Sequence, residues 1–81
     1  MRQARAAVAR GDFEAALSAI AEHARLFKNG RLVEEREALR VKALVGLGRA
    51  REARHAAAAF RARFPRSVLL PTVGQMPVSP P

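Results

Sequence analysis

The side chains with chemical capability in this sequence are two histidines, three serines and an excess of arginine, and their spacing limits what each can do. His23 and His55 stand 32 residues apart, and the only other ligand types near them at short spacing are glutamates such as Glu22 and Glu52, which fall on other faces of a helical wheel. A metal site needs several ligands converging on one point, so none is expected. Ser18, Ser67 and Ser79 have no base placed beside them by any motif, and the glycines do not form a phosphate-cradling loop. The chain has no cysteine, which removes a thiol nucleophile, a thiolate metal site and a disulfide framework. No catalytic apparatus and no cofactor is expected; the chain reads as a non-enzyme.

The formal net charge is +8, and 13 of the 15 basic residues are arginine, a bias that a GC-rich coding sequence produces as readily as selection for a basic surface. The excess sits at the two ends, with +3 over residues 1–11 and +5 over residues 49–81. Arg49, Arg51, Arg54, Arg61, Arg63 and Arg66 could track phosphates. Several of them scatter around the wheel, and without Tyr or Trp there is no stacking platform for bases beyond phenylalanines needed in a core. Electrostatic binding to nucleic acid or an anionic membrane surface is therefore the alternative reading, with nucleic acid the less favoured partner.

These groups must be positioned by helices. Eighty-one residues allow one small domain, and a chain rich in alanine and poor in strand formers until four of its five prolines arrive after residue 70 is helix-forming. The stretch Val8-Ala9-Arg10-Gly11-Asp12-Phe13-Glu14-Ala15-Ala16 returns 37 residues later as Val45-Gly46-Leu47-Gly48-Arg49-Ala50-Arg51-Glu52-Ala53. At the same offset Arg5 matches Lys42, and Phe27 matches Phe64, which Pro65 follows. Each copy reads as helix, glycine turn, helix and break.

The predicted helices cover residues 2–10, 13–27, 32–47 and 50–64, with Asp12 as N-cap of the second, Asn29-Gly30 ending it and Pro65 stopping the fourth. Phe13, Ala16, Leu17, Ile20, Ala24 and Phe27 form the apolar stripe of the second helix; Ala53, Ala57, Phe60 and Phe64 face inward from the fourth. On the third, Leu32, Val33, Leu39, Ala43, Leu44 and Leu47 share one arc into which Arg36 and Arg40 also fall. A buried anion site is one reading of those arginines. The favoured one has both reaching outward or pairing with glutamates of the neighbouring helix.

Only sixteen Leu, Ile, Val, Phe or Met residues precede Pro65, so the isolated unit is expected to be marginally stable and either to continue into further repeats or to self-associate. Residues 67–70 resemble the start of a third unit that Pro71 spoils, with residues 68–70 available to fold back over the last helix. Residues 71–81 are expected to form a disordered, Pro-rich tail. Neither a membrane span nor a secretory signal is recognisable, which gives a cytoplasmic location by default, with a periplasmic or membrane-anchored parent protein as the other option.

Gly11-Asp12-Phe13-Glu14-Ala15-Ala16-Leu17 resembles the turn of the tetratricopeptide repeat. The long period and the Leu26-Phe27-Lys28-Asn29-Gly30 and Arg63-Phe64-Pro65-Arg66-Ser67 breaks look most like the branches found in an outer-membrane assembly lipoprotein and in Tol-Pal-associated proteins. Glu37 and Arg40 depart from the pattern, and the short first helix implies that Met1 is not the native start of the domain. The resemblance implies an all-α fold: two antiparallel helical hairpins, four helices in all, stacked as a short right-handed α-solenoid over residues 1–70, with repeat one at 1–29 and repeat two at 30–66. It assigns structural roles to Gly11, Phe13, Ala16, Phe27, Gly48, Ala53, Phe60, Phe64 and Pro65. It also implies a concave, ligand-facing groove lined by Arg5, Val8, Glu35, Ala38, Lys42 and Val45. Two valines and two cations would suit a peptide or helix of a partner protein, acidic in character. The expected function is thus a non-catalytic interaction or scaffold module of bacterial type, with self-association as a further option.

Overall fold

A computed structural model describes residues 2–27 and 32–69. They form four helices, α1 (Arg2–Arg10), α2 (Phe13–Leu26), α3 (Leu32–Gly46) and α4 (Ala50–Arg63), and no strand is found among the described residues. The fold is all-α. The Asn29-Gly30 stop and the tail at 71–81 lie outside the described residues.

Two tight turns fold the helices into hairpins, and both use a glycine in the left-handed region: Gly11 at φ 78° and Gly48 at φ 75°. A β-carbon in that region clashes with the backbone, so glycine is the residue that makes the turn without strain. The surrounding hydrogen bonds repeat at the 37-residue offset. Gly11 N–H donates to Val8 O as Gly48 N–H donates to Val45 O, each at 3.0 Å, and Asp12 N–H reaches Ala7 O at 2.8 Å as Arg49 N–H reaches Leu44 O at 3.0 Å.

The helices after the turns, α2 and α4, occupy equivalent spans and begin from matching cap conformations, φ −91°, ψ 76° at Asp12 and φ −85°, ψ 69° at Arg49. Asp12 also accepts Ala15 N–H on its side chain at 3.2 Å, whereas Arg49 offers no side-chain cap. Both helices end one residue earlier than their apolar pattern suggests, because Phe27 and Phe64 leave helical geometry at φ −130° and −126°. Even the aromatic contacts correspond: His23 stacks on Phe27 with centroids 4.9 Å apart, and Phe60 on Phe64 at 5.1 Å.

The central helix is α3, which packs against α1, α2 and α4. Its buried residues, Val33, Arg36, Ala38, Val41, Ala43 and Leu44, therefore spread over roughly 220° of its circumference at about 100° per residue. Val41 is 1% exposed although it lies outside the single arc expected from the sequence, and Leu32, inside that arc, is 42% exposed. A helix contacted on three sides has no single apolar stripe.

Two clusters build the core. Ala38, Val41 and Leu44 of α3 meet Ala53, Ala56, Ala57 and Phe60 of α4. Ala7 of α1, Ala16 of α2 and Ala43 of α3, all without appreciable exposure, mark the convergence of three helices. Small side chains there let the helix axes approach, and Phe13 and Leu17 pack at the edge. Beyond α4, Leu69 lies against the first cluster while Val68 points to solvent at 86% exposure, so the expected fold-back of residues 68–70 involves Leu69; Leu70 lies outside the described residues.

Candidate functional site

The six residues expected to line a groove come from α1 and α3, and a direct contact joins the two helices there: the Arg5 Nε–H donates to a carboxylate oxygen of Glu35. Arg5 and Lys42 are exposed, Glu35, Val8 and Val45 are half-buried, and Ala38 is not on the surface. At 5% exposure it belongs to the cluster beneath α4, because α3 turns that side toward its hairpin partner. What α1 and α3 present is thus a narrower strip: the Arg5–Glu35 ion pair, an exposed lysine, and two valines whose sides already contact the core.

Arg36 departs from its expected outward path. It is 5% exposed, and its guanidinium is held by Glu37 of its own helix at 3.0 Å, by the Phe27 main-chain oxygen at 2.7 Å and by His23 Nδ1 at 3.3 Å. Two of these partners belong to the last turn of α2 and its C-cap, where carbonyls lack helical partners and the helix dipole favours a cation. Arg36 therefore ties the end of the first hairpin to α3. Since a guanidinium only donates, Nδ1 of His23 must accept, which fixes the neutral ring with its proton on Nε2. Burial first, and then nearby positive charge including Arg36, holds the His23 pKa below its ordinary 6.5. Arg40 is exposed, in accord with its expected outward path.

Among the residues given structural roles, Gly11 and Gly48 make the turns, Ala16, Ala53 and Phe60 are buried, and Phe13 and Phe64 are half-buried. Pro65 sits exposed in the turn after α4. Phe27 does not face inward: it is 56% exposed, because the C-cap conformation swings it off the α2 stripe onto His23. With Leu26 at 63% and Leu32 at 42%, it leaves apolar surface at one end of the molecule.

Gly46 has a role that the sequence pattern alone did not signal. A β-carbon there would lie 2.5 Å from Cδ2 and Cζ of Phe13, so the bare backbone of α3 is the surface on which that ring rests.

The four arginines inside α4 are exposed, and Arg63 stands apart from the other three around the helix. Arg51, Arg54 and Arg61 are exposed and fall within roughly 80° of one another. Glu52 lies on another flank, toward the α2–α3 groove lined by Leu17, Ile20 and Ala24. Among the described residues no cluster of three or more potential metal ligands occurs, and no helix is long and apolar enough to cross a membrane. No protein-family model, no curated protein and no solved structure matches the chain.

Proposed function

We propose that this chain is a non-catalytic protein–protein interaction module, a short stack of two tetratricopeptide-like hairpins whose α1–α3 strip receives a peptide or helix from a partner protein. The recurrence of turn, cap and aromatic geometry at a 37-residue offset carries this reading. Such recurrence is the property of a stacking unit, and stacked helical repeats work through extended surfaces rather than through a reaction centre. Lys42 supplies one exposed cation, Arg5 a second that a partner's carboxylate would share with or take from Glu35, and Val8 and Val45 two apolar edges, a composition that suits a carboxylate-bearing segment.

The test is binding of a panel of acidic helical and extended peptides to the chain and to the Arg5→Glu, Lys42→Glu double variant. Loss of binding in the variant, with unchanged circular dichroism, supports the strip; full retention removes it. The exposed arginine arc of α4 favours a second reading, electrostatic binding of nucleic acid or an anionic membrane surface. Salt titration separates the two, since phosphate tracking weakens steeply with salt and does not depend on Val8 or Val45.

A further inference from the structure

The two hairpins share a backbone plan but differ where one hairpin meets the next. In α2, the residues turned toward α3 include Phe13, Leu17, Ile20 and Ala24, and Phe13 and Leu17 pack against the core clusters. Their counterparts 37 residues on, in α4, are Ala50, Arg54, Ala57 and Arg61. Ala57 is buried, whereas Ala50, Arg54 and Arg61 are exposed. Within a hairpin the pattern is kept, as Ala16 and Ala53 are both buried. The surface that hairpin one uses to hold α3 has thus become, on hairpin two, a surface with a guanidinium where Leu17 and Ala24 would be.

The first helices of the hairpins extend the comparison. Arg5 of α1 is neutralised by Glu35 of α3, and Lys42 stands in the place of Arg5 on hairpin two. Among the described residues Lys42, Arg54 and Arg61 have no carboxylate in ion-pair range. The end of the stack at hairpin two therefore carries three positive charges without a carboxylate partner among the described residues, and Val45 and Leu69 are partly buried against its α3–α4 cluster.

We infer that the free end of hairpin two docks an acidic helix of a partner protein, laid against α3 and α4 as α3 is laid against α1 and α2. The inference rests on the interaction-module reading and specifies a surface and a partner chemistry for it. Charge decides among occupants. Residues 70–81 contain no Asp or Glu side chain to set against Lys42, Arg54 and Arg61. A second copy stacked head to tail would bring up the outer face of its α1 and α2, where Arg10 is paired with Asp12 and Arg2 stands against Glu22, so a single carboxylate would face three cations. A helix with carboxylates toward Lys42, as Glu35 is toward Arg5, and toward the arginines of α4 answers all three.

The probe is a labelled peptide of residues 32–46 with Arg36→Glu and Arg40→Glu. Its control keeps both arginines and carries Glu34→Lys, Glu35→Lys and Glu37→Lys. Fluorescence anisotropy with the full chain is expected to show saturable binding of the acidic peptide and none of the basic one. Arg54→Glu with Arg61→Glu, both exposed positions, is expected to weaken the acidic peptide at least about tenfold and to admit the basic peptide, since like charges opposed across an interface repel and opposite ones attract.

Binding of the acidic peptide that is unchanged in this variant overturns the inference, as does equal binding of both peptides to the wild type or failure of the acidic peptide to bind it. Binding that survives Arg54→Glu, Arg61→Glu but is lost in Arg5→Glu, Lys42→Glu assigns the occupant to the α1–α3 strip, which keeps the interaction-module reading and discards the free end. A 20-base-pair DNA duplex that binds the wild type more tightly than the acidic peptide, with a steep salt dependence, overturns it in favour of phosphate contact.

Discussion

The ring of Phe13, at the start of α2, rests on the backbone of Gly46 at the end of α3, so closely that a β-carbon on the glycine would lie 2.5 Å from Cδ2 and Cζ of the ring. This contact joins the two hairpins near the point where Ala7, Ala16 and Ala43 bring three helices together. Gly46→Ala should therefore destabilise the fold despite the better helix propensity of alanine, because the ring must leave its site. The expected loss is about 1–3 kcal/mol, typical of overpacking. In a Phe13→Leu background the same change should cost less, and a double-mutant cycle by urea denaturation reads the coupling. Additive effects would mean that the ring moves away freely.

Gly11 and Gly48 pose a different question, since a β-carbon at either meets nothing within 4 Å while both hold a positive φ. Alanine at either site should cost about 1–2 kcal/mol from backbone strain alone, and asparagine less. Thermal melts of Gly11→Ala, Gly48→Ala, Gly11→Asn and Gly48→Asn check the order. Similar losses at the two positions are expected because the turns share their hydrogen bonds; a loss at one site only would show that the hairpins do not depend on their turns alike.

The division between these two kinds of glycine explains what could be read in the sequence. The turns were legible because a left-handed residue between two helical patterns has a local signature, and the 37-residue offset then carried the reading from one hairpin to the other. Gly46 was not, since its reason is a ring 33 residues away. Ala38 reads from the sequence as groove-lining, and Val41 falls outside the apolar arc, for a related cause: a wheel sorts residues into one inside and one outside, and α3 is packed against three helices. Arg36 was sent outward by its charge, whereas the unpaired carbonyl at the C-cap of α2 gave it a reason to stay.

Arg36 should be worth more to the fold than its surface counterparts. Arg36→Met keeps the aliphatic stem but leaves the Phe27 carbonyl without the 2.7 Å bond it accepts, and the expected cost is about 1–3 kcal/mol, that of stranding a partly buried polar group. Arg40→Met, at an exposed position on the same helix, should change stability by less than about 0.5 kcal/mol. Equal effects in urea denaturation would mean that the Arg36 clamp adds nothing beyond a solvated charge.

His23 makes the same clamp sensitive to pH. Its folded-state pKa lies below the ordinary 6.5, first through burial and then through nearby positive charge including Arg36. Well above pH 6.5 the ring is neutral in both folded and unfolded chains and adds no pH dependence. Below 6.5 the unfolded chain takes up a proton that the folded chain resists, so the unfolded state gains and stability falls as the solution is acidified. Protonation would also put a donor at Nδ1, facing the Arg36 guanidinium that now donates to it at 3.3 Å. Melting temperatures between pH 7.5 and 5.5 should decline for the wild type and decline less for His23→Gln, whose amide oxygen can still accept from Arg36. A His23→Gln slope equal to that of the wild type would leave the neutral His23 ring without a measurable share in holding α2 to α3.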